Sequence, residues 1–339
     1  MPDSRLASNQ EFGKKRWACP SVLLVATALT DLDRLMPFAL EQAAETKARL
    51  IQLHVVSPTI PVSVDVVGKP YYNPGGALNF AATALTPWCE LASRQDIACD
   101  AVVREGHPAT QIEAAARQFQ ADRVLLGTRG RSKLGKLLLG SVAEQVLRSV
   151  NLPVITVGPE AHLRVAATNR QRVVLHATTL RQTSRPSATL ACQIAESQGA
   201  RLVLLHVLPP LDEPTSEATG RSGQPSSLDS AALHELRALA AETGAGCCMA
   251  VEPRVVHGNP SIEILAESSE LNASIIILGA TDRSAFHNLT RDRTIYQVLA
   301  HARCPVLSLR ESQGYGAAED HAAGTGKVFN EEREEETKQ

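Results

Sequence analysis

The chain contains two copies of one long segment. Residues 49–55 (RLIQLHV) resemble residues 201–207 (RLVLLHV), at an offset of 201 − 49 = 152 residues. The same offset separates Gly106 from Gly258. Because the repeats of a solenoid are only about 20–50 residues long, a copy of this length is a whole domain. The sequence therefore predicts two tandem domains with the same fold.

Each copy alternates short apolar runs with longer amphipathic stretches. Residues 22–27 (VLLVAT) and residues 173–178 (VVLHAT), matched at an offset of 173 − 22 = 151, are rich in Val and Leu. Strands that are buried on both faces of a parallel sheet have this composition. Stretches such as residues 32–47 have helical spacing of apolar residues and separate the strands, as right-handed crossovers require. The predicted fold class is α/β, with two tandem five-stranded parallel-sheet domains.

The same reading gives the elements and the domain boundaries. The predicted helices are residues 32–47, 78–93, 109–119 and 141–150 in the first copy, and lie near 187–197, 231–241, 261–268 and 294–300 in the second. The strands of the second copy are predicted to start near Val173, Leu202, Met249, Ile275 and Val306. Loops are predicted at residues 57–76 and 209–227, which are rich in Pro, Gly and Ser. Residues 1–20 are an N-terminal extension, residues 21–158 the first domain, residues 171–310 the second domain and residues 311–339 a tail.

The tail and the overall charge bear on partners and location. From residue 311 onward eight acidic residues stand against three basic ones, a balance of 3 − 8 = −5, which predicts a disordered, solvated acidic tail or one that binds a partner. The whole chain has a formal net charge of −2, so nucleic acid is not an expected partner. Its apolar runs fall short of the ~20 residues that cross a bilayer, and no signal-peptide core follows the first basic residues. We expect a soluble, cytoplasmic protein without a membrane partner.

The cysteines and histidines predict no metal site. The seven cysteines form no CxxC pair, and their odd number suits neither a disulfide framework nor a zinc site. We expect most of them to be small buried hydrophobic residues, with the adjacent Cys247 and Cys248 as an alternative redox pair. His54 and His206 end equivalent strands, and neither has a second His or Cys at ligand spacing. We expect both to be half-buried and hydrogen-bonded.

A glycine-rich basic segment follows the fourth predicted strand of the first copy. Residues 127–141 read GTRGRSKLGKLLLGS. In open parallel α/β sheets ligands bind beyond the carboxyl ends of the strands, and the N–H groups at a helix N-terminus bind phosphate. Glycine leaves room where the backbone must approach a ligand. The segment is therefore a candidate phosphate site; the alternative is a basic turn with an ordinary Ser N-cap.

The spacing of Gly127, Gly130, Gly140 and Ser141 is G-x2-G-x9-G-[ST], and the segments VAEQVLR and LPV follow it. With the order of strands and helices, this pattern resembles the ATP-binding signature of the universal stress protein family, over about residues 21–310. The resemblance implies adenine nucleotide alpha hydrolase-like, Rossmann-like domains and an ATP cleft between the halves of the sheet, with any Mg²⁺ carried by the nucleotide. The implied contacts are Ala26, Thr27 and Val55 at the adenine, Leu126, Gly127, Arg129 and Gly130 at the ribose and phosphates, and Gly140, Ser141 and Val142 at the phosphate tail.

Both copies depart from the family pattern. The family's Asp after the first strand is Ala28 here, and the loss of one or two hydrogen bonds would cost on the order of 1–3 kcal/mol, about tenfold or more in affinity. In the second copy, Thr179 stands for that Asp, and Asp282, Asp292 and Arg293 replace the second glycine, the third glycine and the serine. A carboxylate at the phosphate position repels phosphate. We predict that only the first copy binds nucleotide.

Two hypotheses about function stay open. In the first, the chain is a non-catalytic stress-response protein whose first copy binds ATP and whose second copy is a structural or docking partner. In the second, it is a nucleotide-independent scaffold that acts on an unknown regulatory protein. A nucleotidyl-transferring enzyme would need an acid/base or HxGH group near the first strand, which the sequence lacks. Because family members usually pair through their last strands, the resemblance implies an intramolecular pseudo-dimer and allows a homodimer of two chains.

Overall fold

The computed structural model describes residues 20–57, 63–64, 70–71, 74–128, 139–161, 171–181, 184–210, 227–244, 251–280 and 294–310. The strands of its main sheet are β1 (Val22–Ala26), β2 (Arg49–Val56), β3 (Cys99–Glu105), β4 (Arg123–Gly127), β5 (Val154–Val157), β6 (Val173–Ala177), β7 (Arg201–Leu208), β8 (Val251–His257), β9 (Ile275–Ala280) and β10 (Val306–Arg310). The helices are α1 (Leu32–Thr46), α2 (Pro74–Ser93), α3 (Pro108–Gln118), α4 (Ser141–Ser149), α5 (Arg185–Ser197), α6 (Ser227–Gly244), α7 (Pro260–Glu270) and α8 (Thr294–His301). A 3-10 turn, Leu29–Asp31, precedes α1.

The two copies share one ten-stranded sheet, in the order β8-β7-β6-β9-β10-β5-β4-β1-β2-β3. Within each copy all neighbouring strands are parallel. The copies join where β5 and β10 pair antiparallel, with Ile155 opposite Leu307. This arrangement confirms the α/β fold class and the intramolecular pairing of the copies through their last strands.

Helices cover both faces of the sheet, so the fold has three layers. Helices α1, α2, α5 and α6 pack on one face, and α3, α4, α7 and α8 pack on the other. Each of the two apolar clusters between helices and sheet contains buried residues of both copies, for example Leu126 and Leu278 on one face, and Leu125 and Ile277 on the other. The hydrophobic core is therefore continuous across the junction of the copies, as apolar strands buried on both faces require.

The structure changes two details of the predicted elements. A short antiparallel pair, Ser63–Val64 with Pro70–Tyr71, lies inside the stretch that we predicted as loop, and α2 begins at Pro74, before the end of that stretch. The predicted start of a strand near Met249 lies outside the described residues, which resume with β8 at Val251. Within the described ranges, no helix combines the length and the hydropathy that a membrane span needs.

One cysteine expectation is wrong. Cys89 near the end of α2 and Cys99 at the start of β3 form a disulfide, with their Cα atoms 5.2 Å apart. The pairing arises because α2 lies against the edge strand β3, which brings the two cysteines close together. No CxxC spacing in the sequence indicates this contact. The other prediction is confirmed for Cys192 and Cys304, which are buried and form no disulfide, and burial raises the pKa of the Cys304 thiol to about 12. Cys19, Cys247 and Cys248 lie outside the described residues.

We expect the Cys89–Cys99 disulfide to stabilise the fold. The second copy has Ala241 (241 − 152 = 89) and Val251 (251 − 152 = 99) at the matching positions, so Cys89→Ala with Cys99→Val suits this architecture. Loss of a cross-link over so short a loop should lower the free energy of unfolding by about 2–3 kcal/mol. In urea denaturation, wild type should lose this amount when reductant is added and the double variant should not respond. Cys192→Ala, the control, should respond to reductant like wild type; a wild type insensitive to reductant would contradict the expectation.

Candidate functional site

The candidate site lies at the carboxyl ends of β1 and β4, the point at which the strand order of the first copy reverses. Ala26 pairs with Leu53 of β2 on one side and with Leu126 of β4 on the other. The Thr27 N–H donates to the Leu53 carbonyl at 3.0 Å, and the Thr128 N–H donates to the Val157 carbonyl at 3.0 Å. The chains that leave β1 and β4 therefore diverge from a common edge. In parallel α/β sheets, ligands bind at such a crevice.

A histidine fixes the end of the first strand in each copy, β1 in the first and β6 in the second. His54 Nδ1 lies 2.8 Å from the Thr27 carbonyl, and His206 Nδ1 lies 2.9 Å from the Thr178 carbonyl. Burial lowers the pKa of His54, and the hydrogen bond to Thr27 offsets this only in part. Its imidazole is therefore neutral near pH 7 and donates from Nδ1. Both histidines are partly buried and hydrogen-bonded, as predicted, and the described residues contain no group of three or more His, Cys, Asp or Glu suited to a metal.

Gly127, the first glycine of the signature, lies beside a charged pair at the start of α1, formed by its N-cap Asp31 and by Arg34. A Cβ built there would lie 3.2 Å from Arg34 Nη2 and 3.3 Å from Asp31 Oδ2. Arg34 Nε lies 3.7 Å from Asp31 Oδ1, and Nη1 donates to the Gly158 carbonyl. Sequence reasoning assigned this glycine to the approach of a ligand. The structure adds a second reason, because a larger residue would press on the Asp31–Arg34 pair.

Asp31 and Arg34 are the residues that the sequence interpretation left out of the site. Asp31 is not aligned with the family's Asp, yet its side chain is buried at the same edge of the sheet. The spacing of the two residues, i and i+3 at the start of a helix, is the one signal that could have paired them in advance. Their contact with Gly127 could not be read from the sequence.

The turn before α4 is hydrogen-bonded to the end of β4. The Gly140 N–H donates to the Thr128 carbonyl at 3.0 Å, and the Gly140 carbonyl accepts from the Glu144 N–H at 2.9 Å. Gly140 is the N-cap of α4, with φ −66° and ψ 146°, and as a glycine it supplies no side-chain cap. By helix geometry, the first N–H groups of α4, from Ser141 onward, have no acceptor within the helix. They and the positive end of the helix dipole suit an anion.

The structure brings most of the predicted contacts together. Ala26, Thr27, Val55, Leu126, Gly127, Gly140, Ser141 and Val142 all belong to the carboxyl ends of β1, β2 and β4 or to the start of α4. Ser141 is exposed and Val142 is half-buried. Arg129 and Gly130 lie outside the described residues. In the second copy, Asp282, Asp292 and Arg293 are likewise outside them, while the Thr179 hydroxyl lies 3.1 Å from the Ser184 hydroxyl of its own copy.

Two parallel-sheet halves of order 3-2-1-4-5, each covered by helices on both faces, define tandem Rossmann-like domains of the nucleotide-binding type. The sequence model of the Universal stress protein family matches residues 21–158 and 171–310, and the chain belongs to this family.

The chain is similar to known universal stress proteins in sequence and in structure. A universal stress protein of Mycolicibacterium smegmatis is 25% identical over 310 residues, which are 85% of this chain and 96% of that protein. A universal stress protein of Thermus aquaticus is 28% identical over 137 residues, or 40% of this chain and 97% of that protein. The crystal structure of a universal stress protein from Archaeoglobus fulgidus matches with a TM-score of 0.64 at 19% identity, covering 88% of this chain and 98% of its own. This last likeness shows the fold.

Proposed function

We infer that the first copy binds ATP without catalysing a reaction on it, and that the second copy acts as its structural or docking partner in a stress response. The observation that carries this proposal is the position of the signature. Gly127 ends β4, and Gly140 and Ser141 begin α4 beside it, at the point at which the strand order reverses. Family membership supports a nucleotide as the ligand of this crevice.

The positions of the signature residues suggest a division of the site into three parts. Ala26 and Thr27, which are buried at the end of β1, and the half-buried Val55 near the end of β2 would line the adenine. The N–H groups of Ser141 and Val142 at the start of α4 would bind the terminal phosphates. Leu126 and Gly127, with Arg129 and Gly130 beyond them, would flank the ribose and the remaining phosphates.

The residues at this edge also bear on metal and chemistry. No His, Cys or carboxylate cluster for a metal is found among the described residues, so Mg²⁺ would enter with the nucleotide. His54 is held by the Thr27 carbonyl and is neutral, so its Nδ1 proton is committed to that bond. We assign the site to binding, with the nucleotide state as the signal and a regulatory protein, in the cytoplasm, as the recipient.

The alternative is a scaffold that binds no nucleotide. Ala28 favours it, because the base or ribose loses the carboxylate that the family pattern supplies. The intact first-copy signature opposes it, since a scaffold has no need for Gly140 and Ser141 at a helix start. In either case two chains could associate as a homodimer.

Titration of the full chain with ATP by calorimetry tests the proposal. We expect saturable binding and a rise in melting temperature, because a ligand at 100 times its Kd stabilises the folded state by about 2.7 kcal/mol. Adenosine, which lacks the phosphates, should bind more weakly than ATP. Absence of heat and of a thermal shift up to about 1 mM ATP, where binding would be weaker than about −4 kcal/mol, would favour the scaffold.

A further inference from the structure

Helix α4 of the first copy is held at both ends by the second copy. At its start, the Leu139 N–H donates to the Tyr296 hydroxyl of α8 at 3.3 Å, in a buried contact. At its end, Arg310 of β10 donates to the Leu147 carbonyl at 2.9 Å and to Asn151 Oδ1 at 3.0 Å. The helix that carries the proposed phosphate site is thus fixed by residues more than 150 positions away in sequence, at separations of 157, 159 and 163.

The residues that make these contacts differ between the two copies. The first-copy residue equivalent to Tyr296 is Glu144 (296 − 152 = 144), whose carboxylate pairs with Arg148 of its own helix. The equivalent of Arg310 is Gly158 (310 − 152 = 158), which has no side chain to reach the other copy. A pair of identical domains would give both contacts twice. The asymmetry runs in the same direction as the loss of the signature from the second copy.

The contact with Tyr296 acts on the turn that bears the phosphate ligands. Leu139 is buried, and its N–H would be costly to leave without an acceptor. The next N–H group, that of Gly140, is taken by the Thr128 carbonyl. Two consecutive N–H groups are thus anchored, one to each copy, and the N–H groups that follow, of Ser141 and Val142, are directed away from the helix. The orientation of these groups depends on both anchors.

We propose that Tyr296 is a positioning residue for the phosphate part of the nucleotide site, so that the second copy sets the affinity of the first. The inference rests on the proposed function and deepens it: the degenerate copy holds the turn of residues 139–141 in its binding geometry. The contribution of the phosphates to ATP affinity should therefore depend on Tyr296, whereas the contribution of the adenosine part should not.

The Tyr296→Phe variant of the full chain tests the inference, because it removes the hydroxyl and keeps the ring. Val298→Ala is the matched control, since Val298 is fully buried in the same helix and its loss weakens packing without removing the hydrogen bond. Calorimetry with ATP and with adenosine should show ATP binding weakened about tenfold by Tyr296→Phe alone, with adenosine affinity unchanged. Amide hydrogen exchange of wild type gives a second readout: the Leu139 amide should be protected in the nucleotide-free chain.

The outcomes separate this inference from the proposed function. The positioning role is overturned if Tyr296→Phe binds ATP as tightly as wild type does. It is also overturned if Tyr296→Phe and Val298→Ala both weaken the binding of ATP and the binding of adenosine to the same extent. In either case nucleotide binding by the first copy stands. If wild type does not bind ATP, both are overturned. A Leu139 amide that exchanges as fast as an unprotected one overturns the inference even where the Tyr296 variant fails to fold.

Discussion

Gly140→Asp should weaken ATP binding by about a hundredfold and leave the fold intact. The substitution copies the residue that the second copy carries at the equivalent position, Asp292 (292 − 152 = 140). A carboxylate about 4 Å from a phosphate at an effective dielectric constant near 20 costs up to ~4 kcal/mol, which solvent reduces. About 3 kcal/mol corresponds to the hundredfold loss.

The backbone geometry at Gly140 indicates that the Gly140→Asp variant should fold normally. Gly140 is the N-cap of α4 with a negative φ of −66°, so a side chain there is not strained. Asp is among the residues that N-cap positions favour, so the free energy of unfolding should be unchanged or slightly higher. Gly140→Asn is the matched control, because Asn caps equally well and brings no charge. The difference between Asp and Asn in ATP affinity isolates the charge; equal affinity of all three chains would place the phosphates elsewhere.

His176 should make the chain lose stability in mild acid. The side chain is fully buried in β6; its Nδ1 lies 3.0 Å from the Ile277 carbonyl and its Nε2 lies 3.4 Å from the Ser187 hydroxyl. Burial lowers its pKa from 6.5 to about 4, an effect that the hydrogen bond to Ile277 only partly offsets. The folded state therefore holds the imidazole neutral over a range of pH in which the unfolded chain takes up a proton.

The sign of the effect follows from this difference in proton uptake. Below pH 6.5 the unfolded chain binds a proton at His176, whereas the folded chain binds it only near pH 4. The free energy of unfolding therefore falls as the pH drops from 6.5 to about 4, and it levels off below that. By pH 4.5 the loss that belongs to His176 should reach about 2–3 kcal/mol. Other groups titrate in the same range, so a variant is needed to separate the contribution of His176.

The first copy supplies that variant. Its equivalents of His176 and Ser187 are Val25 (176 − 151 = 25) and Met36 (187 − 151 = 36), both buried. In urea denaturation at pH 7 and pH 4.5, the double variant His176→Val with Ser187→Met should lose about 2–3 kcal/mol less than wild type does. His107→Gln, which removes an exposed imidazole, should lose as much as wild type. A double variant with the full acid loss would show that His176 titrates normally.

The sequence predicts the fold well because its signals are periodic and local. The 152-residue offset defines two equal domains, and the apolar runs at residues 22–27 and 173–178 mark strands that the structure places at Val22–Ala26 and Val173–Ala177. The hydrogen bond of His54, near the end of β2, is also predictable, since an isolated His near a strand end is more often hydrogen-bonded than metal-bound. The pairing of β5 with β10 follows from the family resemblance rather than from any local signal.

Three side-chain contacts of the folded chain could not be predicted from the sequence. Arg34 against Gly127, Cys89 with Cys99 and Tyr296 with Leu139 each depend on how helices lie on the sheet. The spacing of Cys89 and Cys99 matches no motif that indicates a disulfide. Tyr296 is one aromatic residue on a buried helix face, and nothing in the sequence marks it as a hydrogen-bond partner. Each contact changes the interpretation of a residue that the sequence assigned for another reason, most clearly at Gly127.

The number of ATP molecules bound per chain tests the central claim, that duplication left one nucleotide site supported by a second, degenerate domain. Calorimetric titration of the full chain should fit a single site, and the Gly140→Asp variant should leave no second site behind. Two sites per chain in wild type would contradict the asymmetry, because the second copy would then bind as well; no site at all would contradict nucleotide binding by the first copy.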